Sequence, residues 1–343
     1  MGGALTDQDR GRMPRSGETA KPAAAPSDRS TTRKANCDLA TPAAAGHALV
    51  KQAPAAACVR QEKVQRAGKM TMAEIVPLKE LAARVRSGMR VAIPADYCGV
   101  AMAATAAIIA QRPENLHLVC VPITGMQGDM LIGEGLVGVI ETSAVTLGEA
   151  GGAPRFIDGV RSGAFRLMDA TCPAVHSGLI AAQKGVPFLP IRGIVGSDLL
   201  KMRTDWKIIA NPFAADDPIV VVPAIHPDIA LFHAPEADRF GNVRIGRRRE
   251  LATMAYASKA TLVTVERICE APLLRDEDSA AGVLPALYVD RIAVAPRGAW
   301  PIGLWGEYPT DSAEIARYAA MAQTPEGFAV YMDGFSRRLA AAA

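Results

Sequence analysis

The sequence predicts an α/β fold with an open, largely parallel sheet and helices on both faces. From residue 72 to about residue 200, short apolar runs alternate with segments that carry apolar residues at helical spacing. The apolar runs are nearly continuous, which is typical of strands buried on both faces of a parallel sheet. Beyond residue 200 the pattern shifts toward strands, and no internal repeat is found. We expect residues 71–343 to form one domain, because about 270 residues lie within the single-domain range.

The elements of the first half follow in a regular order. A helix is predicted from Leu78 to a stop at Gly88, and an Ala-rich helix ends at Pro113. Two further helices are predicted over APRFIDGVRSG and PAVHSGLIAAQKG. The predicted strands between and after these helices are RVAIPA, LHLVCVPI, GVIETSAV, AFRLMDA and VPFLPIRG. This alternation is the basis for predicting a parallel sheet.

The second half is predicted to contain more strands than helices. The predicted strands are PIVVVPA, PDIALFHA, NVRIG, ATLVTVERI and DRIAVAP. The predicted helices are RRELATMAYAS and two terminal segments, SAEIARYAAMAQ and EGFAVYMDGF.

The charge distribution argues against nucleic-acid binding by the globular body. The chain has 343 residues and a net charge of +3. Residues 1–70 carry 12 Lys and Arg against 6 Asp and Glu, whereas residues 71–343 carry 26 against 29. The basic excess therefore lies in the first fifth of the chain, and the mildly acidic body is not expected to bind nucleic acid.

Membrane, secreted and metal-binding classes are not indicated either. No apolar run approaches the ~18–20 residues of a membrane helix, and the polar amino terminus lacks a secretory signal. The six cysteines include no C-x-x-C pair, and the five histidines include no ligand pair. We therefore predict reduced thiols in a cytoplasmic protein without a bound metal.

Residues 1–70 are predicted to be a disordered basic tail. They are rich in Ala, Pro, Ser, Thr and Arg and contain almost no aromatic or long aliphatic residues. Such a segment buries too little apolar surface to offset the entropy of ordering it. Because Met70 and Met72 directly precede the first periodic segment, a mis-assigned start is the alternative interpretation. A chain beginning at either methionine is expected to fold like the full chain.

Two glutamates are candidate functional carboxylates. Glu134 lies within Gly133-Glu-Gly135-Leu-Val-Gly138, which has the spacing of a dinucleotide fingerprint. A strand rather than a helix is predicted to follow, so the glycines indicate a helix-to-strand turn. Glu134 is then either a nucleophile or a solvated carboxylate at a helix end. Glu266 ends the apolar strand TLVTV and is either a functional group or one member of a strand-end salt bridge.

Three further groups could bind an anionic ligand or take part in its chemistry. His233, at a strand end, could be a base, a hydrogen-bond donor or a structural histidine, and the turn from Asp238 to Asn242 follows it. The loop Gly196-Ser197-Asp198 follows the strand VPFLPI and is either an anion-binding loop or a plain turn. The triple Arg247-Arg248-Arg249 is either a solvated basic face or a docking patch for a polyanionic ligand head.

Taken together, these segments resemble a known family. The runs VPFLPIRGIVGSDLL, VVVPAIHPDIALFHAPEADRFGNVRIG and TLVTVERI are similar to the alpha subunit of two-subunit CoA-transferases of the glutaconate type. The similarity extends to alpha subunits of a steroid-ring-opening hydrolase and covers residues 73 to about 335. The resemblance implies a CoA-transferase-like fold and an active site between an alpha and a beta subunit. It also implies a coenzyme A thioester as substrate rather than a permanently bound cofactor, with the phosphates of coenzyme A as the polyanion for Arg247–Arg249.

The resemblance also implies how the chemistry is divided between the subunits. In these transferases the nucleophilic glutamate belongs to a Ser-Glu-Asn-Gly motif of the beta subunit, and this chain has no such motif. The alpha subunit is expected to contribute substrate and oxyanion contacts from a loop after its first strand. That loop corresponds here to Asp96, Tyr97, Cys98 and Gly99, where Asp96 departs from the family's glycine-rich pattern. A carboxylate beside a developing oxyanion is unfavourable unless it points away or is protonated.

The leading hypothesis is therefore the alpha subunit of a heteromeric acyl-CoA transferase that moves coenzyme A between an acyl-CoA and a free carboxylic acid. Its beta partner supplies the nucleophile, and the chain alone is expected to be inactive. Substrate contacts are expected from the loops Asp96–Gly99 and Gly196–Asp198 and from His233 and Asn242. One alternative is an acyl-CoA ring-opening hydrolase subunit in which Glu266 or Glu134 assists water. The other is a non-catalytic acyl-CoA sensor.

Overall fold

The computed structural model describes residues 73–342, and the predicted tail, residues 1–70, lies outside this range. The strands are β1 (Glu74–Ile75), β2 (Arg90–Pro94), β3 (Leu116–Val121), β4 (Val137–Thr142), β5 (Arg166–Asp169), β6 (Phe188–Ile191), β7 (Lys207–Ile209), β8 (Ile219–Pro223), β9 (Ile229–Asp238), β10 (Val243–Arg244), β11 (Ala260–Cys269), β12 (Val283–Leu284) and β13 (Arg291–Val294). The helices are α1 (Leu78–Ala82), α2 (Met102–Gln111), α3 (Met126–Gly133), α4 (Pro154–Ser162), α5 (Cys172–Lys184), α6 (Leu199–Met202), α7 (Arg249–Ala257), α8 (Glu277–Ala280), α9 (Ser312–Met321) and α10 (Pro325–Ala342).

The main sheet is open and largely parallel, as predicted. Its strands lie in the order β1-β13-β11-β9-β2-β3-β4-β5, and each pair of neighbours in this series is parallel. Only β10 and β12 add antiparallel pairs to the described sheet, at the end of β9. In parallel strands all carboxyl ends meet at one edge of the sheet, so residues that follow β2, β3, β9, β11 and β13 are brought together there.

Two apolar clusters cover the two faces of this sheet. One includes buried residues of α2, α3, α9 and α10, and the other includes buried residues of α5 and α7. The strands are buried in nearly continuous runs, because helices cover both faces. Among residues 73–342, no helix is long and apolar enough to cross a membrane.

A small second sheet departs from the prediction. The segment VPFLPIRG was expected to join the parallel sheet, but its strand β6 pairs antiparallel with β8, which also pairs antiparallel with β7. Every side chain of β6 is at least partly exposed to solvent. This exposure fits an edge strand of a small sheet, whereas a strand of the main parallel sheet is covered by helices on both faces. Apolar composition alone does not distinguish this strand from one in the main sheet.

A buried ion pair joins the small-sheet region to the main sheet. Arg203, just after α6, places its Nη2 2.7 Å from Oε1 of Glu141 on β4, and each side chain is 4% exposed. The Arg203 guanidinium also bonds Asp205 and stacks on the ring of Trp206 at 4.2 Å. These contacts satisfy two charges that would otherwise be buried without partners.

The helix predicted from Leu78 to Gly88 is shorter in the structure. The α-helix ends at Ala82, and the following residues form 3₁₀-type turns in which Arg84 N bonds Leu81 O and Val85 N bonds Ala82 O. Gly88 adopts a φ of +75°, so the segment stops where the sequence indicates. The other helices and strands predicted for residues 90–335 are all present.

Candidate active site

The loop after β2 lies at the carboxyl edge of the main sheet. It contains a 3₁₀ turn over Asp96–Cys98 and then Gly99, whose φ is +86°. Gly99 O accepts a hydrogen bond of 2.7 Å from His233 N on β9. A Cβ atom at position 99 would lie 2.2 Å from the His233 carbonyl oxygen and 2.9 Å from the Trp305 ring. Glycine at this position therefore allows the loop to pack directly against β9.

The Asp96 carboxylate lies against the start of α3. Its Oδ2 atom is 3.4 Å from Met126 N, and a Cβ on Gly125 would lie 2.1 Å from that oxygen. Burial raises the pKa of Asp96 from its ordinary value of 3.8 to about 6, against the lowering effect of backbone hydrogen bonds from Met126 and Gly125. Oδ1 is buried and has no hydrogen-bond partner among the described residues. The extra carboxylate of this loop is therefore easier to protonate than an ordinary aspartate.

The Cys98 thiol is buried beneath the same loop. It donates a hydrogen bond of 2.7 Å to Oε1 of Glu250, in the first turn of α7. Burial, followed by this bond and the Glu250 charge, raises the pKa of Cys98 well above its ordinary value. The thiol is consequently protonated at neutral pH and is a poor nucleophile. Tyr97, between Asp96 and Cys98, is 65% exposed.

Of the predicted arginine triple, Arg248 contacts a residue that packs against the loop. Its guanidinium stacks 3.8 Å above the ring of Trp305, and that ring packs against Gly99. Arg247 and Arg249 are exposed on either side of it. A cation held in this way beside an open surface can contact a phosphate without losing its stacking partner.

His233 and Glu266 form a buried pair on adjacent strands. His233 is fully buried, and its Nε2 lies 2.7 Å from Oε1 of Glu266, while Nδ1 lies 2.8 Å from Oγ1 of Thr264. Glu266 also accepts a 2.8 Å bond from the Tyr308 hydroxyl and a 2.6 Å bond from Arg297 N. Burial alone would raise the pKa of Glu266, but the hydrogen bond and charge of His233 outweigh it and hold that pKa below its ordinary value. The carboxylate therefore fixes the segment that carries Arg297 and Tyr308 against the sheet edge.

A cavity of about 1080 Å³ opens between the Asp96 loop and the segment that contains Tyr308. Its walls come from the loop after β2, the loop after β3, the 3₁₀ turn at 148–150, the segment 302–310 and the start of α9. The lining residues of the described chain are Asp96, Tyr97, Ile123, Thr124, Thr146, Leu147, Gly148, Glu149, Ala150, Ile302, Gly303, Leu304, Trp305, Gly306, Glu307, Tyr308, Pro309, Thr310, Ser312, Ile315 and Ala316. This size and mixed lining suit a substrate site.

The structure thus brings together several of the predicted site residues at one edge of the sheet. Asp96 and Tyr97 line the cavity directly. The others border it through contacts already described: Cys98, Gly99, Arg248, His233 and Glu266.

Other predicted site residues lie away from this cavity. Glu134 is at the end of α3, near the amino end of β4, and its Oε2 is 3.0 Å from Arg112 Nη1. The turn Gly133–Gly138 does connect a helix to a strand, as predicted. Asn242 is buried in the β9–β10 turn, where its amide bonds Asp238 and the Ala286 N–H.

The cavity lining includes no residue of the loop Gly196–Asp198. This loop precedes α6 in the region of the small sheet, and Asp198 forms an exposed pair with Lys201 at 2.6 Å. The Ser197 hydroxyl oxygen is buried without a hydrogen-bond partner among the described residues.

Sequence reasoning missed Trp305 and Tyr308, which lie in the segment after β13. Both line the cavity, and Tyr308 contacts Glu266. Their position in the sequence was the available signal. A segment that follows a parallel strand begins at the carboxyl edge of the sheet, where Asp96 also lies, and this Gly- and Pro-containing segment carries two aromatic residues. Glu250 was also missed, since only the tertiary structure places α7 beside the loop after β2.

Comparisons with known proteins identify the family. The sequence profile of the family described as coenzyme A transferase matches residues 75–295 of this chain. The chain belongs to the coenzyme A transferase family. The A-type subunit of the 3-oxoadipate CoA-transferase of Pseudomonas knackmussii is 30% identical over 277 residues, which cover 78% of this chain and 94% of that protein. The A-type subunit of the glutaconate CoA-transferase of Acidaminococcus fermentans is 31% identical over 229 residues, covering 60% of this chain and 71% of that protein.

The fold of this family member agrees with a solved structure. The crystal structure of glutaconate CoA-transferase from Acidaminococcus fermentans matches with a TM-score of 0.71 and 27% identity, over 77% of this chain and 89% of that one. The predicted α/β fold and the resemblance to CoA-transferase alpha subunits are thereby confirmed. The chain is a CoA-transferase subunit of the alpha type, and the alternative of a ring-opening hydrolase subunit is not favoured.

Proposed function

We propose that this chain is the alpha half of a two-subunit acyl-CoA transferase, in which a beta subunit supplies the nucleophilic glutamate. The observation that carries the proposal is the position of the Asp96–Gly99 loop. It lies at the carboxyl edge of the sheet and on the cavity, in a chain that has no Ser-Glu-Asn-Gly motif of its own. The two relatives compared above are both named as one subunit of a CoA-transferase, the A type, which supports a partner subunit.

The proposed reaction passes through covalent intermediates on the partner's glutamate. Its carboxylate attacks the thioester carbonyl of the acyl-CoA, and collapse of the tetrahedral adduct releases the CoA thiolate and leaves a mixed anhydride. The thiolate then attacks the glutamyl carbonyl of that anhydride, which releases the first acid and leaves a glutamyl-CoA thioester. The acceptor carboxylate attacks the glutamyl-CoA thioester, which gives a new mixed anhydride and free CoA thiolate. The thiolate then attacks the acyl carbonyl of this anhydride, which releases the new acyl-CoA and regenerates the glutamate.

This chain contributes positioning and electrostatics to that sequence. We propose that the backbone N–H groups of Tyr97 and Gly99 stabilise the oxyanion of each tetrahedral adduct, since the Cys98 N–H already donates to Ala95 O at 2.8 Å. One such donor typically contributes about 3–4 kcal/mol to lowering a barrier. Burial raises the pKa of Asp96 to about 6, so the carboxyl is compatible with this role in the protonated form that predominates below that pH. Glu266 acts here as a positioning residue, because all its described hydrogen bonds hold the His233 ring and the Arg297–Tyr308 segment.

Coenzyme A is proposed to bind with its phosphates toward Arg248. Arg248 stacks on Trp305 at the cavity, whereas Arg247 is its exposed neighbour outside the stack. Arg248→Ala is therefore expected to raise the KM for acyl-CoA about tenfold, and Arg247→Ala to change it less than about threefold. Equal effects of the two substitutions would contradict a specific phosphate contact at Arg248.

The proposed reaction is tested on the complex with the beta subunit. We expect the chain to co-purify with a co-expressed beta subunit that contains Ser-Glu-Asn-Gly, and the pair to transfer coenzyme A from acetyl-CoA to free carboxylic acids. Sodium borohydride added after acyl-CoA reduces the glutamyl-CoA thioester and should inactivate the pair irreversibly. Borohydride without acyl-CoA is the control. Full retention of activity after both additions would exclude the covalent transferase mechanism.

A further inference from the structure

The charged residues that line the cavity are all acidic. Within the part of the chain that the structure describes, three carboxylates line it, those of Asp96, Glu149 and Glu307, and no lysine, arginine or histidine does. The remaining lining is aliphatic and aromatic with a few hydroxyl groups, and it includes Ile123, Leu147, Ile302, Leu304 and Ile315. Such a lining offers an apolar acyl chain extensive contact but offers a carboxylate no opposite charge.

Three arginines neighbour the cavity. Arg267 is paired with carboxylates, whereas Arg248 and Arg297 stack on aromatic rings, and Arg248 is the residue proposed above to contact the phosphates of coenzyme A. Arg267 binds both carboxylate oxygens of Glu307 at 2.9 Å and also contacts Glu236. Arg297 lies over the Tyr308 ring at 4.6 Å, and Arg248 lies over the Trp305 ring at 3.8 Å. None of these three arginines lines the cavity, and the Nε atom of Arg297 is buried without a hydrogen-bond partner among the described residues. The pairing with Arg267 neutralises Glu307, but Glu149 remains exposed with its negative charge.

We propose that the acyl group held by this cavity is a monocarboxylic acyl chain, aliphatic and without a second carboxylate. The inference rests on the proposed function, since it treats the cavity beside the Asp96–Gly99 loop as the acyl site. A second carboxylate in this cavity would exchange water for apolar side chains and acidic groups. No lining residue would replace its lost hydration with an ion pair. The two curated relatives compared above are named for dicarboxylic acids, 3-oxoadipate and glutaconate. This chain is therefore inferred to have a different substrate class from theirs.

Valeryl-CoA and glutaryl-CoA form a matched pair of probes, because both have five-carbon acyl groups and only the second has a terminal carboxylate. With the co-purified alpha–beta complex and acetate as acceptor, we expect kcat/KM for valeryl-CoA to exceed that for glutaryl-CoA at least tenfold. Equal values, or a preference for glutaryl-CoA, would overturn the inference while leaving the transferase function intact. Absence of transfer from both thioesters, and from acetyl-CoA, would overturn the proposed function and this inference with it.

A cation placed in the cavity should reverse the preference. Ala316 lines the cavity from α9 and is exposed, whereas Ala313 is exposed on the same helix and does not line it. Ala316→Arg is expected to raise kcat/KM for glutaryl-CoA at least fivefold relative to valeryl-CoA, and Ala313→Arg should leave the ratio unchanged. Glu149→Gln should reduce the discrimination against glutaryl-CoA. If Ala313→Arg altered the ratio as much as Ala316→Arg, the cavity would not be the acyl site and the inference would fail.

Discussion

The Nε2 atom of His233 lies 2.7 Å from Oε1 of Glu266, and the two residues belong to adjacent parallel strands. The Nδ1 atom lies 2.8 Å from the Thr264 hydroxyl, so both nitrogens of the buried ring have a hydrogen-bond partner. The same carboxylate accepts the Tyr308 hydroxyl and the Arg297 N–H. One carboxylate thus links two strands to the segment that borders the cavity.

Glu266→Gln should destabilise the chain by about 2–4 kcal/mol at neutral pH, because it removes the charge from a buried hydrogen-bonded pair. Tyr308→Phe removes one of the hydrogen bonds and should cost about 1 kcal/mol. The low pKa of Glu266 stabilises the folded state above the ordinary glutamate value of 4.5. This contribution is lost as the pH falls below that value through the folded-state pKa, so the difference between wild type and Glu266→Gln should shrink in acid. Urea denaturation at pH 7 and pH 4 measures this difference in stability, and a difference independent of pH would contradict the lowered pKa of Glu266.

Asp96→Asn should stabilise the chain at neutral pH. The folded-state pKa of about 6 lies above the ordinary value of 3.8, so ionised Asp96 destabilises the folded state by up to about 3 kcal/mol. The penalty is absent below pH 3.8, grows between pH 3.8 and 6, and is complete above pH 6. Thermal unfolding at pH 5 and pH 8 should show a larger gain in Tm for Asp96→Asn at the higher pH. An equal gain at both values would mean that the pKa of Asp96 is not raised.

Arg203→Met should cost about 3–5 kcal/mol, since it leaves Glu141 buried without its partner. Lys201→Ala is the matched control, because its pair with Asp198 is exposed on both sides, and its effect should stay within about 0.5 kcal/mol. Chemical denaturation of the two variants measures both values. Similar stabilities would show that the Arg203–Glu141 pair does not hold the small-sheet region on the main sheet.

Gly99→Ala should destabilise the chain by about 2–4 kcal/mol, because the new methyl group would overlap the His233 carbonyl at a positive φ. Gly135→Ala separates the two causes. Gly135 has a φ of +71° but nothing within 4 Å of the added Cβ, so only backbone strain of about 1 kcal/mol is expected there. If both substitutions cost the same in urea denaturation, the close approach of Gly99 to His233 would not matter for stability.

The sequence by itself determined the order of helices and strands and the edge at which function lies. Alternating apolar strands and helices require a parallel sheet, and the polar residues that follow its strands, Asp96 and Glu266 among them, must then meet at the carboxyl edge. The family resemblance added the role of the loop after β2. Periodicity is a local property, and this is why it located the elements well.

Only the tertiary structure decided the pairings between distant segments. It placed VPFLPI in a separate antiparallel sheet, brought Glu250 under Cys98, and set Trp305 and Tyr308 around the cavity. It also showed that the cavity lining does not include Glu134, Asn242 or the Gly196–Asp198 loop. The physical reason is that strand pairing, burial and pKa values depend on neighbours far apart in sequence, and no local pattern specifies which residues those neighbours are.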